Sequence, residues 1–401
     1  MASRRNFIGT VASGLATTLA APGSVLGANS RVRLGIIGPG DRGTELMRHA
    51  LECENVEFAG IADVYTRRLE AARQLAPGAK TYLDYRYLLA DKSVDAVIIA
   101  TPQHLHCEHF VAALDAGKHV YQEKTMAFSV DHAKKMRAAY KKAGDKRVVQ
   151  IGHQSCSSGL MEDAKAMLRE EPMGKISMIN ANMYRNTPHG KNQWTRPVYP
   201  DMTPENIIWK SFLGEAPQRE FDANRYINWR FFWDYSGGNV YENMCHQLAF
   251  WYHALNLQIP KSVIMTGGIY LFKDGREVPD TMAVSLEQPE EMLVVWNSGF
   301  GNNHLGSTEE VLGTDGTISK GQQIRWSPQK VNVKDKPERM GRAATKPVAH
   351  MQNFLDGIRN GAEQNCPFDT GFRVSIACRM AVDSYRLQRT VRWDPVKEEI
   401  V

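Results

Sequence analysis

Residues 31–43 carry the sequence Arg-Val-Arg-Leu-Gly-Ile-Ile-Gly-Pro-Gly-Asp-Arg-Gly, which decides the fold of the first half of the chain. An apolar run over residues 32–37 is followed by glycines at the spacing G-x-G-x-x-G, namely Gly38, Gly40 and Gly43. One glycine lets the chain bend, one admits a pyrophosphate close to the backbone, and one lets a helix pack on the strand. A helix beginning near Asp41 would direct its free amides at the phosphates. We therefore predict a dinucleotide-binding turn, with an ordinary loop as the alternative.

A second predicted strand, residues 56–62, ends in Asp63, about 20 residues beyond the glycines. A carboxylate at that place accepts hydrogen bonds from ribose hydroxyls and repels a 2′-phosphate, which favours NAD over NADP. Arg67 and Arg68 follow closely. Either they clamp a phosphate, which would admit NADP, or they are solvated arginines on a helix.

The bulk composition indicates an ordinary globular protein of two domains. The chain has 401 residues, of which 43% are hydrophobic and 23% charged, and its formal net charge is +5. Basic residues do not form runs interleaved with aromatic residues, so we expect no nucleic-acid partner. The six cysteines lack paired C-x-x-C spacing, and we expect no disulfide framework.

The first 30 residues are typical of an export signal. Ser-Arg-Arg-Asn-Phe at residues 3–7 precedes an apolar stretch of small residues over 8–21. This resembles a twin-arginine signal, so we predict that residues 1–30 are a signal peptide and that the protein is periplasmic. The alternative is a disordered N-terminal tail. No other stretch approaches the roughly 18 apolar residues of a membrane span, so we expect no membrane contact beyond export.

Predicted strands and helices alternate from residue 31 to residue 154. The strands end at residues 37, 62, 100, 122 and 151, along one carboxyl edge where ligands bind in such sheets. The pattern predicts an α/β fold, with a doubly wound parallel sheet of the Rossmann type over residues 31–154.

Residues 155–401 have a different pattern. Residues 186–236 are rich in Trp, Tyr, Pro, Asn and Arg and predict long loops. Strands predicted at 262–272, 282–287, 292–298 and 309–313 lack intervening helices, which indicates an α+β domain with an open-faced, mostly antiparallel sheet. We expect Tyr270, Phe272 and Trp296 on its open face, covered in a homodimer or homotetramer.

The chain resembles the glucose–fructose oxidoreductase and inositol dehydrogenase family, called Gfo/Idh/MocA. The matching motifs are residues 38–43, Asp63, Thr101-Pro102 with His106, residues 116–120, Glu123-Lys124, and Gly237-Gly238 before His246. The resemblance implies a Rossmann domain that binds a nicotinamide cofactor, and a sheet domain that contacts a sugar or polyol. The residues it implies for cofactor binding are Gly38, Gly40, Asp41, Arg42, Gly43, Asp63, Arg68, Thr101, Pro102, His104, His106, Glu123 and Lys124.

Lys124 and His246 are the candidate catalytic residues. Oxidation of a secondary alcohol needs a donor at the reacting oxygen and a base for its proton. Lys124 follows a strand at the ligand edge; the alternative is a surface lysine paired with Glu123. His246 titrates near neutrality; the alternative is a core histidine, and the family register favours the catalytic role. Thr125 stands where the family commonly has proline after the lysine.

His104, His106, Cys107 and His109 suggest a metal cluster at first sight. The resemblance instead implies that the Thr-Pro pair and the following histidine line the cofactor crevice, so we expect no metal.

Aromatic and charged residues of the second half are candidates for sugar contact, because flat rings pack on sugar C–H faces and charged groups bind hydroxyls. These candidates are Tyr184, Trp194, Arg230, Asp234 and Glu242.

Three hypotheses for function follow. A periplasmic enzyme has no cytoplasmic nicotinamide pool, so the first is an exported oxidoreductase of sugar or polyol hydroxyls with tightly held NAD, or NADP as second choice. The alternative is an NAD-dependent glycoside hydrolase or lyase that oxidises C3 transiently, with Tyr184 or His246 as base. The third is a non-catalytic periplasmic sugar-binding protein.

Overall fold

The computed structural model describes residues 31–342 and 348–401, and the predicted twin-arginine signal over residues 1–30 lies outside them. The first domain contains six strands and five helices in this order: β1 Val32–Ile37, α1 Asp41–Leu51, β2 Val56–Ala62, α2 Thr66–Leu75, β3 Lys80–Tyr82, α3 Tyr85–Ala90, β4 Ala96–Ile99, α4 His106–Asp115, β5 His119–Gln122, α5 Val130–Ala143 and β6 Val149–Ile151. The strands form one parallel sheet in the order β3-β2-β1-β4-β5-β6. The prediction of a doubly wound parallel sheet is confirmed.

The centre of this sheet is apolar on both faces because helices cover both. Every residue of β4 is buried, and so is nearly all of β1. One covering element comes from the far end of the chain. Phe354 and Leu355, on helix α10 (Val348–Asn360), are fully buried in the same apolar cluster as Leu34 of β1 and Leu46 of α1. The first domain therefore completes its core with a segment of the second half.

The second domain contains a ten-stranded sheet. Its remaining elements are α6 Gly159–Glu170, β7 Ile176–Tyr184, α7 Trp209–Leu213, α8 Ala223–Ile227, α9 Cys245–Leu255, β8 Ser262–Gly268, β9 Thr281–Gln288, β10 Met292–Gly299, β11 Ser307–Gly313, β12 Gly316–Lys320, β13 Ile324–Pro328, β14 Arg339–Met340, α11 Phe368–Leu387, β15 Val391–Asp394 and β16 Glu399–Ile400. The strand order is β14-β13-β12-β11-β7-β10-β9-β8-β15-β16, antiparallel apart from the β7–β10 pair. The prediction of a mostly antiparallel α+β domain is confirmed.

Two details of this sheet differ from expectation. The predicted strand 262–272 ends at Gly268, because the Asp280 carboxylate accepts the backbone N–H groups of Tyr270, Leu271 and Phe272. The expectation that Trp296 lies on the open face is wrong. Trp296 lies on the same face of β10 as the buried Val294. It is fully buried, and its Nε1 donates to Gln247 Oε1 at 2.6 Å.

The loop-rich segment 186–236 packs on the first domain, where it forms an aromatic cluster with Tyr65, which lies just beyond β2. We call this cluster the aromatic cap; its buried members are Tyr65, Met202, Ile207, Phe212, Leu213, Tyr226, Trp229, Phe231, Phe232 and Tyr235. The Tyr65 hydroxyl donates to Asp201 Oδ2 at 2.6 Å, and its ring meets the Tyr226 ring edge-on at 5.7 Å. The cap thus joins the two domains at the carboxyl end of β2.

All six cysteines are buried free thiols. Among the helices that the structure describes, none is both long enough and apolar enough to cross a bilayer.

Replacing Phe212 by Ala should destabilise the protein by about 3–5 kcal/mol, because the ring is buried at the centre of the aromatic cap and leaves a cavity. Urea unfolding measures the change. The matched control is Ile208→Ala on the same segment, since Ile208 is 38% exposed and its truncation should cost far less. Equal losses for the two variants would show that the cap does not stabilise the fold.

Candidate active site

A cavity of about 490 Å³ lies along the carboxyl ends of β1, β2 and β4. Both domains contribute to its walls. Residues from the first domain include Gly38, Gly40, Asp41, Arg42, Asp63, Arg68, Thr101 and Pro102, and residues from the second include Arg196, Phe212, Tyr226, Trp229 and Arg230. The structure therefore brings most of the predicted cofactor residues to one crevice.

The turn between β1 and α1 has the geometry that a pyrophosphate requires. Gly38 has a φ of +85°, which a residue with a side chain rarely adopts, and a Cβ on Gly43 would lie 2.3 Å from the carbonyl oxygen of Gly38. No side chain caps the N-terminus of α1, so its first amides remain available as donors. This turn fits the diphosphate of a dinucleotide.

Asp63 stands at the end of β2 with its carboxylate nearly buried. Its Oδ1 accepts the backbone N–H of Tyr65 at 2.9 Å, while Arg68 lies 4.0 Å from Oδ2. Burial raises the pKa of the Asp63 carboxyl, and the positive charge of Arg68 opposes that rise. The Oδ2 atom keeps acceptor capacity toward the cavity, which suits a ribose hydroxyl.

The two arginines after β2 have different partners. The Arg67 side chain binds Asp201 Oδ1 at 2.9 Å and lies over the Tyr199 ring, so it is committed to segment 186–236. The Arg68 guanidinium lies over the Tyr226 ring in the wall of the cavity. Arg68 alone of the two faces the crevice.

Lys124 belongs to a charged cluster beside this cavity, centred on Glu242. The Lys124 ammonium donates to Oε2 of Glu242 and to its backbone oxygen, both at 3.0 Å. Arg230 Nε lies 3.2 Å from the same Oε2, and Gln103 Nε2 donates to Oε1 at 2.7 Å. The two cations lower the pKa of Glu242 to about 2, despite the opposing effect of burial. Because Arg230 also lines the cavity, the cluster and the crevice adjoin.

The backbone that carries Lys124 is fixed from three sides. Glu123 accepts Arg42 Nε through Oε1 at 2.9 Å and the Lys124 amide through Oε2 at 3.1 Å. The Lys124–Thr125 peptide bond is cis, and the Thr125 hydroxyl donates to the Tyr241 carbonyl at 2.8 Å. His106 links this turn to the end of the neighbouring strand β4. Its ring nitrogens lie 2.8 and 2.9 Å from the carbonyl oxygens of Thr125 and Thr101.

His246 follows Glu242 by four residues, and its ring meets the buried His153 ring edge-on at 5.3 Å. It is partly exposed. Burial, with the nearby charge of Lys124, lowers its pKa well below the usual 6.5. This shift favours the neutral form of the imidazole.

The histidines near residue 106 point to different neighbours. His104 Nε2 lies 2.7 Å from the Phe212 carbonyl oxygen, and His109 Nδ1 lies 3.1 Å from the Thr101 hydroxyl. Burial lowers the pKa of His104 to about 4 and that of His109 to about 3. Within residues 31–342 and 348–401, no group of three or more His, Cys, Asp or Glu side chains is placed to hold a metal ion.

The predicted sugar-contact residues do not all meet. Arg230 and Glu242 lie together with Lys124. Tyr184 is half-buried at the end of β7, and the Trp194 ring packs on Phe300 at 5.0 Å. Asp234 is bound by Arg219 and by Arg225, and it does not line the cavity.

Sequence reasoning missed several members of the site, among them Gln103 and Tyr226. Gln103 follows Pro102 at the end of β4, and that position at the ligand edge was the only signal for it. Tyr226 carries no motif at all; its place in the cavity wall comes from the aromatic cap.

Replacing Glu242 by Gln should remove a pH-dependent part of the stability. The folded-state pKa near 2 lies below the usual 4.5, so the carboxylate stabilises the fold above pH 4.5 and loses this effect as the pH falls toward 2. The advantage of the wild type over Glu242→Gln should shrink by about 2 kcal/mol between pH 5 and pH 3, measured by urea unfolding. Glu57→Gln, at the exposed pair with Arg31, is the control. A constant difference across this range would contradict the ion-pair assignment.

Comparison with known proteins places both halves of the chain in one family. The model described as "Oxidoreductase family, NAD-binding Rossmann fold" matches residues 32–153, and its companion, "Oxidoreductase family, C-terminal alpha/beta domain", matches residues 216–392. Both belong to the Gfo/Idh/MocA family.

Individual relatives match more partially. Inositol 2-dehydrogenase of Salmonella typhimurium is 30% identical over 186 residues, which cover 46% of this chain and 55% of that protein. 2,7-Anhydro-N-acetylneuraminate hydratase of Escherichia coli is 27% identical over 274 residues, covering 67% of this chain and 62% of that protein. The chain thus spans just over half the length of these curated relatives.

The structure of the aldose-aldose oxidoreductase from Caulobacter crescentus has the same fold. It superimposes with a TM-score of 0.67 at 20% identity, covering 90% of this chain and 99% of that one. Together with the two family models, this likeness extends over both domains. The chain therefore belongs to the Gfo/Idh/MocA oxidoreductase family, with an NAD-binding Rossmann domain followed by the family's C-terminal α/β domain.

Proposed function

We propose that this protein is an NAD-dependent oxidoreductase that acts on a secondary hydroxyl of a sugar or polyol. The observation that carries the proposal is the Lys124–Glu242 pair beside the nucleotide crevice, with His246 on the next helical turn. When bound, NAD supplies the hydride acceptor. The names of the inositol dehydrogenase and aldose relatives support a polyol or sugar as substrate.

The side chains divide the remaining work between them. Lys124 donates a hydrogen bond to the reacting oxygen and so fixes the alcohol. Glu242 holds the ammonium in place, since it binds Lys124 and Arg230 with the same oxygen. Neutral His246 accepts the hydroxyl proton as the hydride leaves the carbon, so that the alcohol becomes a ketone and one proton remains on the imidazole.

We assign NAD rather than NADP as the cofactor. Two contacts support this assignment: the Asp63 carboxylate lines the cavity at the end of β2, where a carboxylate favours a ribose hydroxyl, and the Arg67 side chain is paired with Asp201. Of the two arginines after β2, Arg67 and Arg68, Arg68 is the one that lines the cavity.

We further propose that the cofactor is held tightly and is recycled within the protein. Segment 186–236 reaches over the crevice through three links: the Arg196–Asp41 ion pair at 3.1 Å, the Tyr65–Asp201 hydrogen bond, and Arg68 on Tyr226. These links hold the segment against the wall of the crevice and support slow release of a bound dinucleotide. The twin-arginine pattern of residues 3–7 supports a periplasmic location, where a released cofactor would be lost.

A redox-neutral reaction is the second candidate, because the relative that covers two thirds of this chain is a hydratase, and hydration involves no net oxidation. On this chain, oxidation at C3 of a glycoside would acidify the neighbouring C–H. His246 or Tyr184 would then remove that proton, the leaving group would depart, and the hydride would return.

For the assembly we propose a homodimer or homotetramer that covers the open face of the second sheet. Ile264 and Leu293 are 43% and 39% exposed there.

The test of this function begins with the molecule released from heat-denatured protein, identified by mass and ultraviolet spectrum. Near-stoichiometric NAD is the expected result. Sugars and polyols are then screened for reduction of the bound NAD in a single turnover. Lys124→Met and His246→Gln should each slow that reduction at least about 100-fold while NAD stays bound. Lys330→Met, whose ammonium contacts backbone oxygens of an exposed loop, is the matched control.

Retained reduction in both variants would overturn the assignment of Lys124 and His246. Sugar released from an aryl glycoside without net NADH would favour the redox-neutral reaction. A protein that binds neither NAD nor NADP would remove both enzyme proposals and leave a sugar-binding protein.

Replacing Asp63 by Ser should weaken NAD binding roughly 10- to 100-fold and narrow its advantage over NADP, because charge-assisted hydrogen bonds to the ribose are lost. Titration of NAD-free protein with each cofactor measures both dissociation constants. Asp115→Ser, at an exposed pair with Lys142, is the control. Unchanged affinity for NAD would show that the ribose lies elsewhere.

A further inference from the structure

Arg185 is an arginine of the site region that lacks a carboxylate partner. It follows Tyr184 at the end of β7 and is partly buried. Its Nη2 donates to Asn243 Oδ1 at 2.8 Å and lies 3.8 Å from the sulfur of Met183. Among the residues that the structure describes, no acidic side chain is within ion-pair distance of it, and its Nε and Nη1 groups have no acceptor. The Nε and Nη1 groups therefore remain available as donors to a ligand.

Neighbouring arginines are compensated. Arg42 pairs with Glu123 and Glu45, and Arg230 pairs with Glu242. Burial lowers the pKa of Arg185, and only the charge of Glu242 opposes this change. A partly buried cation without a counter-ion is unfavourable unless a ligand supplies the charge.

Glu242 cannot supply it, because Lys124 and Arg230 already share this carboxylate. The region therefore has three cations, Lys124, Arg185 and Arg230, facing one carboxylate. One further negative charge would bring two carboxylates to three cations and would accept a hydrogen bond from the open donors of Arg185.

A chain of hydrogen bonds positions the guanidinium. Asn243, its partner, directly follows Glu242, and donates its own amide to Asn239, which in turn donates to Ser298 of β10 at 2.8 Å. The Arg185 amide donates to the Gly299 carbonyl at 2.9 Å. Both the sheet and the helical turn that carries Glu242 thus position Arg185, as a recognition residue requires.

We propose that Arg185 binds a carboxylate of the substrate, so that the substrate of the Lys124 site is a sugar acid rather than a neutral sugar. A guanidinium donates charge-assisted hydrogen bonds to a carboxylate, and here Nε and Nη1 are the donors that remain. The Lys124 ammonium donates to Glu242, the residue before Asn243, so Lys124 and Arg185 bind adjacent residues of one helical turn. The inference rests on the proposed function for the reacting hydroxyl, but the carboxylate contact itself requires no reaction.

Binding and reaction are tested separately on the NAD-loaded protein. Matched pairs are glucuronate with glucose, galacturonate with galactose, and gluconate with sorbitol; glucose 6-phosphate is the phosphate probe. Dissociation constants come from calorimetry, also in Lys124→Met, which should bind acids without turnover. The wild type should prefer the acid in at least one pair. Arg185→Gln should weaken binding of that acid roughly 10- to 100-fold and leave neutral sugars unchanged.

Arg185→Lys should give an intermediate affinity, because a point charge keeps the attraction and loses the fork. Arg392→Gln, at the exposed position of strand β15, is the control. The same shift should appear in KM for NAD reduction, with kcat altered little.

Three outcomes overturn the proposal: no preference for any acid in the wild type, an equal loss for acid and neutral sugar in Arg185→Gln, or stronger Arg185-dependent binding of the phosphate than of the acids. If an acid binds through Arg185 and no member of the panel reduces NAD, the proposed function fails while the carboxylate site stands.

Discussion

The carboxylate of Glu242 links the two domains through an ion pair and a hydrogen bond. It comes from the second domain, yet its oxygens are bound by Lys124 and Gln103, which stand at the ends of β5 and β4 in the first. Burying an isolated carboxylate is costly, and this one is tolerated because two cations and an amide surround it. The same contacts hold the ammonium of Lys124, the candidate catalytic residue, beside the nucleotide crevice. The Lys124–Glu242 pair therefore both links the two domains and forms part of the candidate active site.

Other contacts in the fold position the residues that meet Glu242. The Arg42–Glu123 pair and the bridging ring of His106 fix the turn that presents Lys124. Arg42 also lies in the glycine-rich turn, so the strand end that carries Lys124 is linked to the element that would anchor the dinucleotide. Over the other end of the crevice, the aromatic cap brings Tyr226 and Phe212 to the end of β2. The nucleotide site is therefore walled by the second domain, while the reaction site draws on both domains through hydrogen-bonded polar groups.

Local patterns predicted the first domain well because its signals are local. A buried run followed by glycines, and an acid after the next strand, are fixed by steric demands within a few residues, and Gly38, Gly43 and Asp63 all take their expected places. What depended on register or on distant partners was harder to predict. Trp296 was assigned to the wrong sheet face, the short strands β12 and β13 were not predicted, and Asp234 is held by two arginines that no spacing rule connects to it. The partners of Glu242 depend on how the domains meet, which no short motif encodes.

Helix α10 has a consequence for how the chain divides into parts. Phe354 lies edge-on to Tyr121 of β5 at 5.8 Å, and with Leu355 it covers apolar surface of the first domain. A fragment that stopped at residue 154 would expose that surface to water, although it would contain every strand of the parallel sheet. The nucleotide-binding half is therefore continuous in sequence, but its apolar core is complete only when helix α10 packs on it. A ribosome must complete more than 350 residues of this chain before the sheet that begins at Val32 has its full cover.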